Sequence, residues 1–84
     1  MNLYLVSQST NTGWDTYDSF VCRAPNEEVA RNMSPSEGDP INWSDEDSLS
    51  FTWCRKVSDV EVVFLGKAVD NTKQGVVCAS FYAG

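Results

Sequence analysis

Val60-Glu61-Val62-Val63-Phe64-Leu65-Gly66 and Gly75-Val76-Val77-Cys78-Ala79-Ser80-Phe81-Tyr82 are the densest β-branched and aromatic runs in the chain. Such residues suit a pleated backbone because their side chains pack well on the surface of a sheet. Between the runs lies Asp70-Asn71-Thr72-Lys73-Gln74-Gly75, which is rich in turn formers, so the two read as the strands of a β-hairpin. Val60, Val62 and Phe64 fall on one side of the first run, with Val63 and Leu65 on the other. Apolar residues on both sides predict strands that are largely buried and anchor a small sheet.

Outward from that pair, Asn2 to Ser7 alternates Leu3 and Leu5 against Tyr4 and Val6, which predicts a central strand covered on at least one side. Ser9-Thr10-Asn11-Thr12-Gly13 is a turn cluster leading into a loop at Trp14 to Asp18. Ser19 to Ala24 reads as a second strand, antiparallel to the first. Pro25 to Met33 is a short helix: Asn26 can cap it and Glu27 and Glu28 suit the positive end of its dipole. Val29, Ala30 and Met33 share one face, and Pro35 ends it. A helix of about two turns is unstable alone and must bury that face on the sheet. Ser34 to Ser50 is a long surface loop with five carboxylates and no basic residue, and Phe51 to Val57 alternates again as a possible further strand. The predicted fold is α+β, a four- or five-stranded, mainly antiparallel sheet with one short helix packed on one face. All 84 residues form one domain, since a chain of that length has room for one modest core.

Hydrophobic residues make up 42% of the chain, which predicts a folded chain rather than a disordered one. The net charge of −6 argues against direct binding of DNA or RNA, whose phosphates need a clustered positive face, and toward a basic partner. No run approaches a membrane span, and the N-terminus lacks the basic start of a signal peptide, so a cytoplasmic protein is expected. Cys22, Cys54 and Cys78 are odd in number and widely spaced, and read as reduced core thiols.

The chain contains no His. That removes the commonest general base, the Ser-His and Cys-His pairs and most catalytic zinc sites, so no enzymatic activity, metal or cofactor is expected. Asp15 with Asp18, and Glu37 with Asp39, are neighbouring acids of the kind a glycosidase uses. A chain this short cannot wall the substrate cleft that chemistry needs, so the pairs read as solvated loop charge. Asp39, Asp45, Glu46 and Asp47 lack the spacing of a calcium loop.

Charge asymmetry is the stronger signal. Residues 15 to 47 hold nine carboxylates against Arg23 and Arg31, whereas residues 48 to 84 hold three against four basic residues. One reading is solubility. The other is an acidic face that occupies a groove of Lys and Arg, with Trp14, Tyr17 and Trp43 interleaved as aromatic anchors or as lids on the core. On that reading Glu37, Asp39, Asp45, Glu46 and Asp47 supply charge, Trp43 anchors, and Asp15 with Asp18 forms a second patch.

Asn2-Leu3-Tyr4-Leu5-Val6, Trp14-Asp15-Thr16-Tyr17-Asp18-Ser19-Phe20, Asn26-Glu27-Glu28-Val29-Ala30-Arg31 and the ending Gly75 to Gly84 resemble small acidic proteins of bacteriophages and prophages. That group includes anti-CRISPR proteins, some of which block a surveillance complex by imitating DNA charge. The resemblance implies a non-enzymatic inhibitor acting in a host bacterial cell on a CRISPR effector, and carries over no binding residue. The rival expectation is a small phage structural or assembly protein that homo-oligomerises through a sheet edge.

Overall fold

The structure, a computed structural model, describes residues 1–44 and 52–82. Strands β1 (Asn2–Ser7), β2 (Thr16–Ala24), β3 (Glu61–Lys67) and β4 (Gly75–Tyr82) form one antiparallel sheet in the order β3-β1-β2-β4. Helix α1 (Glu27–Arg31) and a 3-10 turn at Val57–Asp59 complete the regular structure of the described residues. The expected α+β architecture, with its short helix, is what forms.

The hairpin at the centre of the sequence reading does not form. The central hairpin is β1–β2, with Leu5 opposite Val21 and Val6 opposite Phe20, while β3 and β4 lie on opposite outer edges of the sheet. The linker explains the difference. Seven residues, 68–74, reach up to about 24 Å, and the outer strands are three spacings or about 14 Å apart, so the chain can cross instead of turning back. It crosses the ends of β1 and β2: the Ala68 amide donates to the Met1 carbonyl (3.1 Å) and Arg23 Nε donates to the Lys73 carbonyl (2.7 Å). The two strands expected to be buried are correspondingly open, with Val63, Phe64, Leu65, Val77, Phe81 and Tyr82 all exposed.

One face of the sheet carries the core. Tyr4 and Val6 of β1 and Phe20, Cys22 and Ala24 of β2 meet Ala30, Met33, Trp53, Cys54 and Val60 from the segments laid over them. Asn26 Oδ1 accepts from the Val29 amide (2.9 Å), with Glu27 and Glu28 in the first turn, as the sequence predicts. Ala30 is buried and Val29 half-buried on the expected face, but the helix is shorter than expected: it ends at Arg31 with Asn32 as its C-cap, before Pro35 is reached, and Met33, also buried, lies beyond it in a bridge to Pro40. Arg31 fixes the helix to the start of β3 by donating to the Val60 carbonyl (2.6 Å). Residues 52–57 form no strand. Trp53 packs on Phe20 (centroids 5.4 Å apart) and Cys54 is buried, because this segment serves as a lid and not as a fifth strand. Cys22 and Cys54 are buried free thiols, whereas Cys78, expected in the core, is exposed on edge strand β4.

Gln8 shapes the β1–β2 connection. Its side chain is buried; Nε2 donates to the carbonyls of Asn11 (2.7 Å) and Tyr17 (2.9 Å), and Oε1 accepts from the amides of Thr10 (3.0 Å) and Asn11 (2.8 Å). A buried amide with donors and acceptor all engaged rigidifies the loop that carries Trp14 and Asp15.

Candidate functional site

Strand β2 begins at Thr16, earlier than its alternation suggests, and this places Trp14 to Asp18 against the end of β4. Thr16 pairs with Tyr82 and Tyr17 with Phe81, and the Asp15 amide donates to the Tyr82 carbonyl (2.6 Å). Asp18 is an extra residue on β2, a β-bulge between the Tyr17–Phe81 and Ser19–Ser80 pairs. A bulge bends the strand and re-aims its side chain, and here it exposes a carboxylate at the sheet corner.

Two aromatic pairs meet at that corner, one on each face of the sheet, because Phe81 and Tyr82 are successive residues of β4. Trp14, 66% exposed, stacks on Tyr82 with centroids 4.8 Å apart, and Tyr17 lies against Phe81 at 4.7 Å. Asp15 and Asp18 flank them, and Asp18 opens onto a groove of about 370 Å³ lined also by Thr12, Thr16, Ser80, Phe81 and Tyr82. Rigid aromatic surface beside carboxylates can both stack on and charge-pair with a guanidinium or ammonium group. Phe81 and Tyr82 were not among the expected site residues. They lie in a run that reads as buried; their signal is that two terminal aromatics end a strand without a single charge.

Glu37 and Asp39 stand elsewhere. The turn carrying them is closed by the Ser34 amide on the Asp39 carbonyl (2.7 Å), the Gly38 amide on the Ser34 carbonyl (2.9 Å) and a bridge between Met33 and Pro40. Gly38 has φ 81°, a conformation that suits glycine, and its α-carbon faces Gly75 and Val76 at the start of β4. Both acids are exposed. The strand separates this turn from the Asp15–Asp18 corner by about 23 Å, eight residues at strand rise. The two patches are therefore distinct, at opposite ends of β4.

Trp43 is half-buried against the core, and its indole N–H donates to Asn32 Oδ1 (2.8 Å) at the end of α1. It acts as a lid over the helix end. Asp45, Glu46 and Asp47 lie outside the described residues. No group of three or more His, Cys, Asp or Glu side chains placed to hold a metal ion occurs among the described residues. No described helix is long and apolar enough to cross a membrane.

No family model matches the sequence, and no curated protein or solved structure matches it.

Proposed function

We propose that the chain is a non-enzymatic binding protein that enters a basic, phosphate-holding groove on a host CRISPR effector, in the manner of an anti-CRISPR inhibitor. The observation that supports this is the aromatic and acidic corner: Trp14 stacked on Tyr82, Tyr17 against Phe81, and the carboxylates of Asp15 and Asp18 beside them. Exposed, mutually stacked aromatics lose little side-chain entropy on binding and serve as anchors. The carboxylates present the charge that Lys and Arg residues otherwise find on phosphate. Close charge pairs across such an interface are worth about 1.5 kcal/mol or more each, and they accelerate the encounter at low salt. Glu37 and Asp39, at the far end of β4, form a second contact in this reading, with Asp45, Glu46 and Asp47 of the same acidic segment adding charge.

The test is competition for DNA. A CRISPR surveillance complex is held with its labelled target duplex, and the protein is titrated in at low and high salt. Displacement of the duplex that weakens as salt rises is the expected result, since screening acts on exposed charge pairs. Unchanged DNA binding and cleavage across several effector complexes would leave the proposal without support.

A further inference from the structure

The turn that carries Glu37 and Asp39 faces Trp53 across a groove of about 350 Å³, which Pro35, Pro40 and Ile41 also line. Main-chain bonds fix both of its walls. On one side the Ile41 amide donates to the Asn32 carbonyl (2.7 Å) beside the bridge between Met33 and Pro40. On the other, the Tyr17 amide donates to the Thr52 carbonyl (2.8 Å) and Asn11 Nδ2 to that of Trp53 (2.9 Å).

Trp53 sets this groove apart from the others. It is 2% exposed, and its indole N–H is buried with no acceptor among the described residues. Buried donors are nearly always paired, because an unmade bond forfeits what water would otherwise supply. The same fold shows how it satisfies an indole at Trp43, whose N–H goes to Asn32 Oδ1 (2.8 Å). Behind Trp53 the ring packs on Phe20 within the apolar core, so the groove is the side from which an acceptor can arrive. Glu37 and Asp39 line the same groove, yet neither bonds to the N–H, and neither is in an ion pair among the described residues.

We propose that the groove takes an arginine or lysine residue of an extended peptide segment, its cation on Glu37 and Asp39, its aliphatic stem along Pro35, Pro40 and Ile41, and its main-chain carbonyl on the Trp53 N–H. Each part of that occupant answers one observation. Carboxylates without a counter-charge select a cation. The apolar walls suit the methylene stem of a basic side chain. The unpartnered donor needs an acceptor, which neither a guanidinium nor an ammonium group can be, so a free polyamine or a metal ion meets only part of the site. The inference deepens the second contact of the function proposed above, and rests on that reading only for assigning the segment to the host partner.

Proton–nitrogen NMR of the labelled full chain, titrated with acetylglycyl-arginyl-glycinamide and no effector present, tests the groove by itself. The Trp53 indole N–H resonance should move downfield and saturate in the millimolar range, while that of Trp43, already bonded, stays in place. The double variant Glu37→Gln, Asp39→Asn alters only exposed side chains and keeps the Asp39 carbonyl that closes the turn, and it should weaken binding about tenfold or more. The peptide with neutral citrulline in place of arginine should lose as much, and added salt should weaken the wild-type complex. A Trp53 resonance unmoved throughout the titration overturns the inference. So does a shift that is the same with the citrulline peptide or in the double variant. Failure of the effector competition with the peptide shift intact would remove the host assignment and leave the groove.

Discussion

At Asp15 the backbone enters the left-handed region, with φ 60°. That conformation costs an ordinary residue roughly 1–2 kcal/mol, and Asp and Asn bear it best because a short polar side chain can bond locally. Its charge is therefore best removed by Asn, which keeps the turn, and not by Ala, which would confuse loss of charge with strain. The cysteines make a second residue-scale contrast. Burial pushes the Cys22 thiol up to about 11, and burial together with the nearby Asp59 carboxylate does the same for Cys54. Thiolate is the reactive form, so a thiol reagent at neutral pH should label exposed Cys78 promptly and the other two only as the chain unfolds. The sign of the pH effect follows from the same shift. Unfolded thiols ionise near 9 and folded ones near 11, so their contribution is complete below pH 9 and lost as pH rises through 11. Melting temperature should fall across that alkaline window. A flat profile there, or equal labelling of all three thiols in the native state, contradicts the burial described.

Among the elements, α1 spans only Glu27–Arg31, so its cap matters more than its propensity. Asn26→Ala should destabilise the fold by about 1 kcal/mol in urea unfolding, through loss of the bond to the Val29 amide, without changing the sheet. The Arg31–Glu27 ion pair, at 2.6 Å but exposed, is worth only about 0.3–0.5 kcal/mol. This helix was legible in sequence because its cap, its acidic first turn and its apolar face are all local signals. So were β1 and most of β2, whose alternation matches the buried side chains Tyr4, Val6, Phe20 and Cys22. The positions of β3 and β4 were not. Apolar residues on both sides of a strand signal burial only if something covers both faces and both edges, and here each strand is an edge. Which strands pair is decided by how far a linker can reach, and the seven residues after Lys67 allow both a hairpin and a crossing. The candidate site shows the same limit. Asp15, Asp18, Trp14 and Tyr17 could be picked from the sequence as neighbours, but Phe81 and Tyr82 join them only through the long-range β2–β4 pairing.

Across the whole molecule, the excess of carboxylates between residues 15 and 47 resolves into separate places and not one acidic face. Asp15 and Asp18 sit at the Tyr82 end of β4, Glu37 and Asp39 on a closed turn at its Gly75 end, and Glu27 is engaged by Arg31. A net charge of −6 favours a cationic partner from any direction, but only the first of these patches combines charge with exposed stacked aromatics. That difference is the central claim, and calorimetric titration into a surveillance complex tests it most directly. The wild type is compared with the double variant Asp15→Asn, Asp18→Asn, which preserves the turn and the rings. The variant should bind about a hundredfold or more weakly, two charge pairs at the low end of their range, with its melting temperature close to that of the wild type. Equal affinity of the two proteins for the complex would contradict the claim and remove the corner as the site.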